Sequence, residues 1–220
     1  MRWTLPVTAG DHRLVAASPI RHVLFDADGV LQHTPDGWVT GAEPYLGSRA
    51  MEFLRRVSDE ELTTLAGQRE FLPLIAVAMA DFGIIAPVEE VHRAIWLRIE
   101  PVQQSLALVR ALRRNGYGVH LGTNQERTRA AHMRDVLGYD ALFDVSCYSF
   151  EVGACKPDVA FFVEAARRIG ADPAAILFID DRGDNVAAAR SVGLAAEQWT
   201  IADGHRILHD ILDNHGITAS

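Results

Sequence analysis

The chain has 220 residues, 49% of them hydrophobic and 23% charged, which is enough apolar material for a full core and excludes a disordered protein. Its net charge of -8 excludes nucleic acid as the main partner, because phosphate backbones call for clustered lysine and arginine. Any anionic substrate must therefore meet positive charge placed locally, and of the 21 basic residues only Lys156 is a lysine.

Residues 1–19 read as an N-terminal extension in which Asp11, His12 and Arg13 interrupt the apolar stretch that a secretory signal needs. The first apolar run, His22 to Asp28, ends in Asp26-Ala-Asp28 followed by Gly29. Such continuous runs are the pattern of strands buried on both faces of a parallel sheet. Residues 37–104 read mostly as helix, most clearly over Glu60 to Asp81 and Val88 to Ile99, and form an insertion far longer than a crossover requires. This predicts a helical cap over residues 37–104, set into a core of residues 20–36 and 105–220. Within it, Phe71 to Ala80 is uncharged but contains Pro73 and is only about half the ~20 residues of a membrane span, so no membrane partner is expected.

Beyond the insertion, strand and helix alternate. Helical patterns over Gln103 to Asn115, Gln125 to Leu137 and Asp158 to Ile169 close on Gly116, Gly138 and Gly170, and two further apolar runs cover Tyr117 to Asn124 and Ala175 to Asp181. A short extended stretch, Val145 to Val152, precedes Lys156-Pro157. The fold class is α/β, a doubly wound, Rossmann-like parallel sheet with an inserted helical cap. Cys147 and Cys155 make no disulfide framework, which fits packing roles and a reducing cytoplasm.

In such sheets ligands bind beyond the carboxyl ends of the strands, where Asp26, Asp28, Thr123, Asn124, Asp180 and Asp181 all fall. Paired carboxylates on neighbouring strands repel unless a cation lies between them, and oxygen-only ligation suits Mg²⁺. Carboxylates, a hydroxyl, an ammonium from Lys156 and a divalent ion are equipment for phosphoryl transfer.

Asp26-Ala-Asp28-Gly29-Val30, Thr123-Asn124, Lys156-Pro157 and Asp180-Asp181 resemble the four ordered motifs of the haloacid dehalogenase superfamily, with the insertion placed as in members with a helical type 1 cap. Leu106 to Asn124 and Phe178 to Asn185 are most similar to the branch containing sugar phosphatases such as glucose 1-phosphate phosphatase. The resemblance implies that Asp26 is the nucleophile forming an aspartyl-phosphate, and that Asp28 is the acid that protonates the leaving oxygen and later activates water. It further implies that Thr123, the Asn124 amide and Lys156 bind the phosphoryl group. Mg²⁺ would be held by Asp26, the Asp28 backbone carbonyl, Asp181 and Asp180, the last directly or through water.

An acid at Asp28 favours phosphate esters over halides as substrates. Mutases of the superfamily carry a cap histidine and lysine, whereas this cap has no lysine and places Trp38 about a dozen residues after the nucleophile, so a phosphatase is expected over a mutase. A non-turnover aspartate phosphoacceptor is the alternative from another class, though receiver domains are shorter and carry no cap. The expected partner is a small phosphate ester, a sugar phosphate among the options. His33, Trp38, Arg49, Arg93 and Arg98 read as packing or surface residues and Arg182 as an orienter of the acidic pair. His205, His209 and His215 read as surface.

Overall fold

The computed structural model describes residues 19–218. All but the last residue of the expected extension, and its charged Asp11–Arg13 segment, lie outside that range. The chain enters through β1 (His22–Phe25) and β2 (Gln32–His33), then forms α1 (Gly37–Leu46), α2 (Ala50–Leu65), α3 (Phe71–Phe82) and α4 (Val88–Ile95) before β3 (Glu100–Pro101). It continues through α5 (Gln103–Arg114), β4 (Gly118–Thr123), α6 (Arg127–Asp135), α7 (Tyr139–Leu142), β5 (Val145–Tyr148) and α8 (Ser149–Val152). The last elements are α9 (Val159–Ile169), β6 (Ile176–Asp180), α10 (Gly183–Ser191), β7 (Ala195–Gln198) and α11 (His205–Asn214).

The five long strands form one parallel sheet in the order β5-β4-β1-β6-β7, with Phe25 paired to Leu121 on one side and Ile179 on the other. Successive side chains of a strand alternate between faces. Val23 and Phe25 accordingly join a cluster with Val109 and Leu112 of α5, Met133 of α6 and Leu208 of α11, whereas Leu24 joins Phe162 of α9 and Val186 of α10. Helices thus cover both faces of the sheet, and β1 sits at the point where strand order reverses, which is where such sheets form their ligand crevice.

The insertion has its own core, built on Phe53, Val57, Phe71, Ile75, Val91 and Ile95, separate from the two clusters against the sheet. The antiparallel β2–β3 ribbon, pairing Gln32 with Pro101 and His33 with Glu100, joins it to the sheet domain. Two expectations differ in detail. The helix expected over Glu60 to Asp81 is two helices broken at Ala66–Glu70, because Gly67 adopts φ +71 and passes so close to α8 that a Cβ there would collide with the Phe150 carbonyl oxygen. The helix expected over Val88 to Ile99 stops at Ile95, since the chain must extend by Glu100 to pair with β2.

His205 is a third correction. It is buried, and its Nε2 lies 2.9 Å from Ser105 Oγ, which itself donates to the Val30 carbonyl at 2.8 Å. His209 is exposed, and His215 pairs with Glu197 at 3.0 Å. Cys147 and Cys155 are both buried and free. Among the described residues no helix is long and apolar enough to cross a membrane.

Candidate active site

The loop after β1 is wound tightly by three backbone amides, those of Val30, Leu31 and Gln32, which all donate to the Ala27 carbonyl. This turn leaves Asp26 and Asp28 facing a cavity of about 410 Å³ that is also lined by Thr123, Asn124, Lys156 and Asp181. Gly29 makes the turn possible. It adopts φ +81, and a Cβ there would lie 2.6 Å from Asp181 Oδ2, so only glycine lets the loop and the β6 end approach this closely.

Lys156 is buried between two carboxylates, with Nζ 2.8 Å from Asp26 Oδ1 and 2.6 Å from Asp180 Oδ2. Its loop is held by Asn124, whose side-chain Nδ2 donates to the Lys156 carbonyl at 2.8 Å and whose Oδ1 accepts from the Lys156 amide at 2.9 Å. Burial opposes the charge on Lys156, but Asp26 and Asp180 outweigh it and hold the ammonium above its ordinary range. Burial pushes Asp26 up to about 7, with Lys156 opposing and Asp180 adding to the shift.

Oxygens of Asp26, Asp180 and Asp181 lie within 4.8 Å of one another. Burial and the neighbouring Asp180 also raise Asp181. Three converging carboxylates against one ammonium leave an excess of negative charge, and an all-oxygen donor set of this kind fits a hard divalent cation such as Mg²⁺. Asp180 is the most committed of the three. Its Oδ1 accepts from the Arg182 amide at 2.8 Å and Asn185 Nδ2 at 2.9 Å, and its Oδ2 accepts from Lys156 and again from Asn185 at 3.1 Å.

Residues that the sequence reading passed over surround Asp28. Arg129, on α6, donates from Nη1 to Asp28 Oδ2 at 2.7 Å and from Nη2 to Oδ1 at 2.8 Å. Gln32 Nε2 donates to Oδ1 at 3.0 Å and Gln125 Nε2 to Oδ2 at 2.8 Å. Burial alone would raise the Asp28 carboxyl, yet the Arg129 charge and these hydrogen bonds prevail and hold it down at about 2. Asp28 is therefore an ionised acceptor in this arrangement, and donation of a proton from it requires the Arg129 pairing to open.

Arg129 also ties the cap to the sheet domain. Its Nε donates to the Trp96 carbonyl at 2.8 Å, and its guanidinium lies 5.2 Å from the centre of the Trp38 ring. Glu126 caps α6 by accepting from the Thr128 and Arg129 amides, and it pairs with the cap residue His92 at 2.9 Å, both side chains being buried. Glu61 of α2 lines the cavity from above the sheet edge, and burial raises it to about 7. The Arg182 side chain turns away to Asp184 at 2.6 Å, so only its amide reaches the acidic pair. Thr123 is buried, with its hydroxyl accepting from Gln125 Nε2 at 3.0 Å. His33 approaches Glu100 at 3.8 Å and Arg49 pairs with Glu52 at 3.4 Å, away from the cavity lining. Arg93 is exposed, and Arg98 is half-buried with its Nη1 donating to the Gly37 carbonyl at 3.4 Å.

A parallel sheet with an inserted helical cap, and four polar motifs gathered at its switch point, define a class of hydrolases. The sequence profile of the haloacid dehalogenase-like hydrolases matches residues 20–193, and the chain belongs to that family. The probable phosphatase IndB of Dickeya dadantii is 26% identical over 183 residues, covering 79% of this chain and 78% of that protein. A sesquiterpene phosphatase of Aspergillus oryzae is 30% identical over 102 residues, 46% of this chain and 52% of that one. A HAD-family enzyme from Bacteroides thetaiotaomicron, solved in complex with magnesium and inorganic phosphate, superposes with a TM-score of 0.70 at 18% identity, over 81% of this chain and 93% of that one, a likeness of fold.

Proposed function

We propose that the chain is a cytoplasmic, Mg²⁺-dependent phosphatase that hydrolyses a small phosphate monoester through an aspartyl-phosphate on Asp26. The observation that carries this reading is the Lys156 ammonium set 2.8 Å from Asp26 in a cavity that also presents Asp28, Thr123 and Asp181. The phosphatase names of the two curated relatives support it.

Asp26 attacks phosphorus, forming the carboxylate oxygen–phosphorus bond as the ester oxygen departs. Lys156 neutralises charge on the nucleophile and the phosphoryl oxygens, and the Thr123 hydroxyl and Asn124 amide orient the group. Asp26 and Asp181 would hold the metal with the Asp28 carbonyl, and Mg²⁺ bound there would supply charge stabilisation at the transferring phosphoryl. The hydrogen bonds to Asp180 occupy both of its oxygens, so its part is to anchor Lys156 and Asn185 while adding negative charge beside the metal ligands. Once Arg129 lets go, the Asp28 carboxylate takes up a proton from solvent and passes it to the leaving oxygen, and the ionised form so regenerated then takes a proton from the water that attacks phosphorus. That second displacement breaks the bond to Asp26 and releases phosphate.

The cap residues lining this cavity are Ser58, Glu61, Leu62 and Leu65. They offer one carboxylate, Glu61, but neither the imidazole nor the ammonium that mutases of the superfamily carry in the cap, which favours a phosphatase over a mutase. The test is turnover of a generic phosphate ester with and without Mg²⁺. Wild type should be active only with the metal, and Asp26→Asn should keep no more than a few per cent of that activity.

A further inference from the structure

A second cavity, of about 380 Å³, is formed by cap residues alone, opens to solvent past Met51 and Arg55, and is walled by Trp38, Val39, Met51, Leu54, Val57 and Trp96. It is within the ~300–1,000 Å³ range of small-molecule sites. A smaller space of about 190 Å³ shares Trp38, Glu61 and Trp96 with this chamber and Asp28, Glu61 and Asn124 with the phosphoryl site, so it adjoins both and forms a neck between them beside Asp28. Arg129 lies on the neck and contacts both tryptophans, through the Trp38 ring and the Trp96 carbonyl.

We propose, resting on the phosphatase reading above, that this chamber receives the leaving group and that the substrates are phosphate monoesters of largely apolar, uncharged alcohols. The leaving oxygen must face Asp28, and the neck that Asp28 lines leads into the chamber. The chemistry of the walls agrees with that position. Six of the nine lining residues are apolar, and the polar ones are Arg55, Ser58 and Glu61, with Arg55 exposed at the rim. A sugar ring carries several hydroxyls and would set those that face the apolar walls against groups that cannot hydrogen-bond them, which lowers affinity. An alkyl or aromatic body loses nothing of that kind and gains from every carbon removed from water. Each added methylene should lower KM about three- to fourfold, the equivalent of ~0.8 kcal/mol.

The experiment is steady-state turnover of n-alkyl phosphates from ethyl to octyl, together with 1-naphthyl phosphate, glucose 6-phosphate and acetyl phosphate, in the presence of Mg²⁺. The expected result is a stepwise rise in kcat/KM with chain length carried by KM, and a preference for 1-naphthyl phosphate over glucose 6-phosphate of about 100-fold or more, since several buried hydroxyls each cost up to a factor of about ten. Leu54→Asn should raise KM for octyl phosphate at least tenfold and that for acetyl phosphate much less. Met51→Asn, at a side chain 46% exposed, serves the same purpose should Leu54→Asn fail to fold. Acetyl phosphate turnover with a flat alkyl series, or with glucose 6-phosphate preferred, overturns the chamber assignment while leaving the phosphatase reading intact. If nothing in the panel is hydrolysed, the phosphatase reading fails, and titration of 1-naphthol against tryptophan fluorescence decides the chamber: saturable binding weakened by Leu54→Asn supports an apolar site, and no binding overturns it.

Discussion

Arg129 grips Asp28 with both terminal nitrogens, 2.7 Å and 2.8 Å from the two carboxylate oxygens, while its Nε holds the cap through the Trp96 carbonyl. One guanidinium thus joins the carboxyl beside the nucleophile to the roof of the site. Only a planar fork with donors on three nitrogens makes this set of bonds, and an ammonium cannot. Arg129→Lys should therefore lower kcat about tenfold or more and loosen the cap, because one bidentate pair and the Trp96 tie are lost together. Arg129→Met should cost about 1–3 kcal/mol of stability, less than the ~3–5 of a fully buried pair, because the Asp28 side chain keeps 38% exposure. Urea unfolding and steady-state kinetics on the two variants check both numbers.

Lys156→Arg keeps the charge and should still lose most activity, by about 100-fold. A guanidinium is broader than an ammonium wedged 2.8 Å and 2.6 Å from two carboxylates in a fully buried slot, so accommodating it displaces Asp26 or Asp180. Near-normal turnover of this variant would remove Lys156 from the mechanism.

Gly29→Ala tests the metal site from the backbone. A methyl group 2.6 Å from Asp181 Oδ2, on a residue with φ +81, pushes the carboxylate out of line. The Mg²⁺ concentration for half-maximal activity should rise about tenfold, as for disturbed ligand positioning elsewhere. Chelation should abolish turnover of wild type, reversibly on adding Mg²⁺.

His120 links stability to pH. Its ring stacks on His22 with centroids 5.3 Å apart, and burial, with help from the His22 charge, lowers it from 6.5 to about 4. The neutral form is favoured in the folded state, so the unfolded chain binds more protons between those values. The contribution is complete above about pH 6.5 and is lost as pH falls toward 4, up to about 3 kcal/mol. Urea midpoints measured from pH 4 to 7.5 should fall less steeply for His120→Gln than for wild type.

The three central strands were legible because they are continuous apolar runs that end in polar residues. By contrast, β7 has no such run, and the extended stretch expected over Val145 to Val152 is strand only as far as Tyr148, after which it turns into α8. Asp26, Thr123 and Asp181 follow from the ends of the central strands and Lys156 from being the chain's one lysine in a motif-like Lys-Pro pair, and all four line one cavity. Arg129, Gln32, Gln125 and Glu61 were not legible, since each reaches the site from a loop or helix whose facing depends on tertiary packing. One signal was present. The helical pattern expected from Gln125 would set Gln125 and Arg129 four apart on one face beside Thr123-Asn124, although the helix itself begins at Arg127 and Gln125 reaches the site from the loop before it. The break at Gly67 and the burial of His205 rest on partners distant in sequence, Phe150 and Ser105, which no local pattern encodes.

The most direct test of the central claim is mass spectrometry of the Asp26-containing peptide after acid quench within about a second of mixing with substrate and Mg²⁺, the time scale of ordinary turnover. The expected result is one added phosphoryl group on Asp26, lost on further incubation without acid and absent from Asp26→Asn. Turnover that proceeds without any label on Asp26, together with an active Asp26→Asn enzyme, would contradict it.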